Sequence, residues 1–393
     1  VTNPATGEIL AMVGSHDYFD TENDGNVNVT LAQRQPGSSI KPINYAVGLL
    51  NGYTAATPFV DQKICFPNPG RPPYCPVNYD GKFRGVIQVR QALANSINIP
   101  AVKMLKLNGV AAMIATASAM GITTFNDQSR YGLSLTLGGG EVTMLDMVTA
   151  FGVFANGGYK VPLHPILKVI DNKETVLEEY KPPPSPIFGK KILPEGVSFI
   201  ISDILSDNQA RTMAFGTNSP LKIGNLPVAV KTGTTNDFRD NWTIGYSPSY
   251  VVAVWVGNND NTPMSGLVSG ITVAAPIWHD IMANLLIGKP PQPFQRPLSV
   301  IQKAICSDTG AISGKDNSCK TRFEYFIRGT ESSLKARGLL QNQDIFVNKD
   351  TQEQAKEGDP NTELKNQTVL KDATGDIYCI TCAHPTPSPT PTP

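Results

Sequence analysis

The sequence predicts a mixed α/β fold: an antiparallel sheet flanked by helices, joined to a helix-rich subdomain. Three observations predict it. Residues 227–233, 242–246 and 250–256 are short apolar runs in succession, the last two joined by a tight Ser247-Pro-Ser249 turn, which reads as an antiparallel meander. Residues 274–286 carry a helical pattern suited to closing that sheet, and residues 38–156 hold one helical stretch after another.

The elements follow in order. Pro4-Ala-Thr-Gly7 is a turn and residues 8–13 read as a strand, yet only Val1 to Asn3 precede the turn. The chain is therefore expected to begin inside a β-hairpin, as a fragment of something longer. Residues 38–51 form a helix with Ile40, Ile43, Ala46 or Val47, and Leu50 on one side, started by Pro36-Gly37 and ended by Asn51-Gly52. Helices at about 87–96, 99–108, 109–120 and 141–156 complete the helix-rich part, which stops at Asn156-Gly-Gly158. A strand at 166–170 with its return, a Pro-rich crossing at 181–186 and a helix from Pro194 lead into the meander. Pro290-Pro-Gln-Pro293 marks a boundary, so the expected units are 1–290, a small appendage at 291–330, and a polar, Pro/Thr-rich tail at 331–393 that is expected to be disordered.

Composition excludes several functions. Lys+Arg and Asp+Glu both number 33, so the formal net charge is zero, and no basic run offers a surface for nucleic acid or anionic lipid. No apolar stretch approaches the roughly 18 residues that span a bilayer. The four histidines, His16, His164, His279 and His384, are scattered without metal-ligand spacing, so no metal or cofactor is expected. Six cysteines fall in three local pairs, Cys65/Cys75, Cys306/Cys319 and Cys379/Cys382, which points to disulfides and an oxidising compartment. The Pro-rich loop between Cys65 and Cys75 is the segment most in need of a staple. Cys379-Ile-Thr-Cys382 is also compatible with half a zinc site or a redox motif.

Ser-x-x-Lys occurs three times, as Ser38/Lys41, Ser219/Lys222 and Ser332/Lys335. Only the first lies at the start of an apolar helix, where positions i and i+3 share a face and the helix N-terminus offers N–H groups to a developing oxyanion. A lysine in apolar surroundings has a lowered pKa and can act as base toward a serine. Ser-x-Asn occurs as Ser96-Ile-Asn98, at a helix junction suited to a cleft, and within Ser206-Asp-Asn208, at a helix end. Lys231-Thr-Gly-Thr234 places two hydroxyls at alternate strand positions beside a lysine, with Gly233 expected to let a ligand approach the backbone. That is a suitable receptor for a substrate carboxylate.

Ser38-x-x-Lys41, Ser96-x-Asn98 and Lys231-Thr-Gly233, in that order, resemble the motif set of penicillin-binding proteins and serine β-lactamases. Arg34-Gln-Pro-Gly-Ser-Ser-Ile-Lys-Pro42, Leu137-Gly-Gly-Gly-Glu-Val-Thr143, Phe154-Ala-Asn-Gly-Gly158 and Lys231-Thr-Gly-Thr-Thr-Asn-Asp237 are similar to the transpeptidase domain of class A, bifunctional members, as is the opening Pro4–Gly14 segment. The resemblance covers about residues 1–290 and implies the transpeptidase fold of that superfamily. It implies that Ser38 attacks the D-Ala-D-Ala carbonyl of a peptidoglycan stem peptide, that Lys41 takes its proton and that Ser96 relays it to the leaving D-Ala. Asn98 would hold the substrate amide; Lys231, Thr232, Gly233 and Thr234 would bind the terminal carboxylate; and the Ser38 and Thr234 N–H groups would form the oxyanion hole. It further implies inhibition by β-lactams, an extracytoplasmic location, and an upstream glycosyltransferase domain and membrane anchor that this sequence does not contain. A D,D-carboxypeptidase, a β-lactamase and a catalytically silent β-lactam sensor or wall-binding module are the competing expectations.

Overall fold

The computed structural model describes residues 1–235, 237–265, 269–314, 319–333 and 337–384. Its helices are α1 (Lys41–Leu50), α2 (Val89–Ala94), α3 (Asn98–Asn108), α4 (Val110–Met120), α5 (Met144–Ala155), α6 (Glu195–Ser206), α7 (Thr212–Phe215) and α8 (Ala274–Leu286). Its strands are β1 (Pro58–Asp61), β2 (Gly85–Gln88), β3 (Tyr159–Lys160), β4 (Lys168–Ile170), β5 (Val176–Glu179), β6 (Lys190–Lys191), β7 (Ala229–Thr234), β8 (Asn241–Tyr246), β9 (Val251–Val256), β10 (Val300–Cys306), β11 (Thr321–Ile327), β12 (Leu339–Asn348), β13 (Thr362–Lys371) and β14 (Ile377–Cys379).

The antiparallel meander β7-β8-β9 is the central sheet, as the sequence predicts. Strand alternation gives it two apolar faces. Ala229, Trp242, Ile244, Tyr246 and Val251 join the main core with α1, α4, α5 and α6. Val228, Val230, Val252 and Val254 pack instead on Ala274, Ala275, Trp278, Met282 and Leu286 along α8. Among the described residues β7 pairs only with β8, so it is an edge strand, and its outer side is where the site forms.

Helix α1 is buried from Lys41 through Leu49, so the one-sided pattern of the sequence reading is replaced by a helix enclosed all round. Residues 87 and 88, expected to begin a helix, instead end β2 (Gly85–Gln88), which pairs with β1, since Val86 and Ile87 favour a strand and the helix starts at Val89. Residues 8–13 form no strand. Thr2 instead bridges both Ile9 and Val251, and Glu8 bridges His164.

The expectation of a disordered tail is overturned for 337–384. β12, β13 and β14 form an antiparallel sheet with a small core of Ile345, Val347, Val369, Cys379 and Cys382. That core is sparse, and two other devices support it. A Cys379–Cys382 disulfide closes the last turn, so neither thiol is free to ligate zinc. The sheet also docks on α3 through Lys103, whose fully buried ammonium lies 2.7 Å from Asp372 and 2.6 Å from Asp376. The Pro/Thr run at 385–393 lies outside the described residues. The other cysteines pair as Cys65–Cys75 and Cys306–Cys319. The β10–β11 hairpin is held by Arg90 of α2, which contacts Glu324 at 2.6 Å, Asp203 at 2.5 Å and Asp207 at 3.1 Å. Among the described residues, no single helix is long and apolar enough to cross a membrane.

Candidate active site

Ser38 lies in a 3₁₀ turn, Gly37–Ile40, that runs directly into α1, and Lys41 is the first residue of the helix. The turn is seated on β7 by two glycines. Gly37 has φ +54°, and a Cβ there would stand 2.6–2.8 Å from the Thr234 backbone. A Cβ on Gly233 would stand 2.2 Å from Pro36 O, so Gly233 is what admits the serine turn against the strand. Side chains at either position would push the Ser38 backbone away from the Thr234 backbone.

Lys41 is fully buried, and its Nζ donates to Ser96 O at 2.6 Å, Asn98 Oδ1 at 2.7 Å and Ile97 O at 3.3 Å, with Ser96 Oγ at 3.5 Å. Ser38 Oγ is not hydrogen-bonded to it in this arrangement. Every one of those partners is an uncharged oxygen, so no carboxylate offsets the charge of a buried ammonium. Burial, helped by the charge on Lys231, accordingly holds Lys41 well below the usual lysine range.

Ser96 is the middle residue of the link Asn95–Ile97 between α2 and α3, with φ +60°, a left-handed conformation unusual for serine. Its backbone N–H donates to Leu93 O at 3.1 Å and that of Ile97 to Ala92 O at 2.9 Å, which fold the link tightly. The outcome is a hydroxyl aimed between two lysines: Lys231 Nζ donates to Ser96 Oγ at 2.8 Å and to Thr232 O at 2.8 Å. Lys231 is pushed down to about 7, first by burial and second by the charge of Arg211. Thr234 Oγ1 accepts from Gly270 N–H at 3.0 Å, and Thr232 is buried where that loop crosses the strand. The two threonines follow strand alternation onto one side of β7.

The other copies of the motifs lie elsewhere. Ser219 is buried with no partner for its hydroxyl, Ser332 is exposed, and Lys335 lies outside the described residues. Ser206 ends α6 and bonds Asp203 O. Sequence reasoning missed two residues. Arg211 is buried, donates to Leu205 O at 2.7 Å and lines one small pocket with Lys231 and Thr232. Burial brings Arg211 down to about 10, against the pull of Asp207. Asn78 touches Asn98 from a loop twenty residues earlier. Neither residue sits in a local pattern that marks it.

Residues 1–283 match the penicillin binding protein transpeptidase domain family. The chain is 33% identical to penicillin-binding protein 1A of Neisseria lactamica over 298 residues, covering 75% of this chain and 36% of that protein. It is 33% identical to penicillin-binding protein 1A of Aquifex aeolicus over 335 residues, covering 85% and 44%. The chain thus spans less than half the length of these relatives. Among solved structures, penicillin-binding protein 1A from Haemophilus influenzae superposes with a TM-score of 0.74 at 26% identity, covering 84% of this chain and 53% of that one. With the family matched over most of its length and the fold shared with a penicillin-binding protein 1A, the chain belongs to the penicillin-binding protein transpeptidases, in their class A branch.

Proposed function

We propose that this chain is a peptidoglycan D,D-transpeptidase that works through an acyl-enzyme on Ser38. The observation that carries this reading is the unbroken hydrogen-bonded series Asn98–Lys41–Ser96–Lys231, with Ser38 one helical turn from Lys41.

A neutral lysine amine has two hydrogens and one lone pair. Ser96 O and Asn98 Oδ1 are the two closest acceptors for the hydrogens, which leaves the lone pair for the Ser38 hydroxyl. As Ser38 Oγ bonds to the D-Ala-D-Ala carbonyl carbon, its proton passes to Lys41 Nζ. The oxyanion forms against the N–H groups of Ser38 and Thr234, a reading supported by the close approach of Gly37, the residue before Ser38, to the Thr234 backbone. When the tetrahedral adduct collapses, the C–N bond breaks and the proton reaches the departing amine from Lys41 through Ser96 Oγ. An amine of a neighbouring stem peptide then attacks the ester and releases Ser38. Lys231, charged when a carboxylate arrives, binds the terminal carboxylate together with Thr232 and Thr234. β-Lactams would acylate the same serine. Three disulfides agree with a location outside the cytoplasm.

Incubation with stem peptide and an acceptor amine tests the reading. Cross-linked product with slow release of bound penicillin is expected. Hydrolysis alone would make the enzyme a carboxypeptidase, rapid penicillin turnover would make it a β-lactamase, and neither reaction would leave a silent sensor.

A further inference from the structure

Asn78 lies in the loop that follows the Cys65–Cys75 disulfide and belongs to no motif. It is almost fully buried, and its side-chain amide is completely engaged. Nδ2 donates to Asp61 Oδ1 at 2.8 Å, Asp61 Oδ2 at 3.0 Å and Lys82 O at 2.8 Å. Oδ1 accepts from Asn98 N–H at 2.9 Å and Ile99 N–H at 3.3 Å. Asp61, at the end of β1, has a fully buried carboxylate that also takes Arg84 N–H at 3.0 Å, so the anchor beneath Asn78 is fixed.

Those bonds do two things at α3. The first N–H groups of a helix need outside acceptors, and the residue in the cap position is Ile97, which has none to offer. Asn78 supplies the cap from a separate loop. Next to it, Val77 O accepts from Asn98 Nδ2 at 2.7 Å. A backbone carbonyl can only accept, so it takes the NH₂ end of the Asn98 amide and leaves Oδ1 to Lys41 Nζ. The two ends of an asparagine amide are nearly the same shape, and rotated the other way Asn98 would point a donor at Lys41. The strained Ser96 sits just before the capped helix, and such conformations persist only where the surroundings over-determine them.

We propose that Asn78 is a positioning residue for acylation: by capping α3 and setting the Val77 carbonyl, it holds Asn98 with Oδ1 toward Lys41 and Ser96 between the two lysines. The proposal rests on the transpeptidase reading.

The test is acylation by a fluorescent penicillin, resolved into the rate at saturation and the half-saturating concentration, with the labelled fraction at long times counting folded sites. Asn78→Ala should lower the saturating rate by about 10- to 100-fold, the scale of a misplaced catalytic group, with the labelled fraction unchanged. Its half-saturating concentration should move by no more than about threefold, since the lost positioning acts on the chemical step and not on uniform binding. In an Asn98→Ala background the same substitution should add little, because the two act through one amide. A merely structural role would lower the labelled fraction and leave the rate per folded site intact. Should Asn78→Ala not fold, Asn78→Ser, which keeps an acceptor for the cap and loses the amide donors, is read in its place, with the same split expected. An unchanged saturating rate, or effects of Asn78→Ala and Asn98→Ala that multiply independently, overturns the proposal while leaving the transpeptidase reading standing. An unlabelled wild-type protein sinks that reading, and the proposal with it.

Discussion

Lys231 Nζ lies 2.8 Å from Ser96 Oγ, and the same hydroxyl is within 3.5 Å of Lys41 Nζ, so one serine joins two buried lysines. The two amines are not equivalent. Burial, with the charge on Lys231, holds Lys41 well below the usual lysine range, whereas Lys231 is brought down to about 7 by burial and the charge of Arg211.

Substitution should separate the two roles. Lys41→Ala is expected to reduce penicillin acylation by about 10²- to 10⁴-fold even at saturation, because general-base catalysis is lost. Lys231→Ala is expected to raise the half-saturating concentration and to lower the rate, because its charge acts in both states. Stopped-flow fluorescence over a range of penicillin concentrations reads both numbers. A Lys41→Ala variant that regains full rate at high penicillin would contradict the assignment.

Acylation at low penicillin concentration should fall as pH rises through about 7, where free Lys231 loses its proton. The sign follows from the charge required: a neutral Lys231 no longer attracts the carboxylate. Arg211 contributes to that depression by repulsion, so Arg211→Gln should raise the Lys231 pKa and move the alkaline limb to higher pH. A limb that stays in place, or moves to lower pH, would show that Arg211 does not act on Lys231.

Gly37→Ala places a methyl 2.6–2.8 Å from the Thr234 backbone at φ +54°. The left-handed conformation alone costs about 1–2 kcal/mol for a residue with a Cβ. The larger effect should be on chemistry, with acylation slowed by about 100-fold as the Ser38 turn lifts from β7. Penicillin labelling together with thermal melting checks this. Normal labelling of a folded variant would remove the close approach from the account.

Removing the Lys103 ammonium leaves Asp372 buried and unpaired beneath β13, and breaking a buried pair from one side costs about 3–5 kcal/mol. Lys103→Met should therefore lower the melting temperature clearly, and Asp372→Leu in the same chain should restore part of the loss. Unchanged melting would mean that the C-terminal sheet is not docked on α3 as described.

The sequence carried the parts of this structure whose signals are local. The meander is legible because turns punctuate β7, β8 and β9, and α8 because its apolar face recurs at helical spacing. Ser38, Lys41, Ser96, Asn98 and Lys231 each sit in a short pattern, which is why they could be named before their convergence was seen. What escaped has no local pattern. Asn78 caps a helix across twenty residues, and Lys103 meets Asp372 across 269. β12 and β13 carry polar residues such as Asn342, Gln343, Asn366 and Gln367 along most of their length, so strand alternation is hidden until cross-strand pairing is known. The enclosure of α1 likewise depends on neighbours from α3, α4 and α6 that periodicity does not report.

The most direct test of the central claim is mass spectrometry of the intact protein after incubation with penicillin, followed by peptide mapping. The account predicts a single penicilloyl adduct, carried by the peptide containing Ser38 and absent in Ser38→Ala, with Ser219→Ala and Ser332→Ala labelled as fully as wild type. An adduct mapped to Ser96, Ser219 or Ser332, or undiminished labelling of Ser38→Ala, would contradict it.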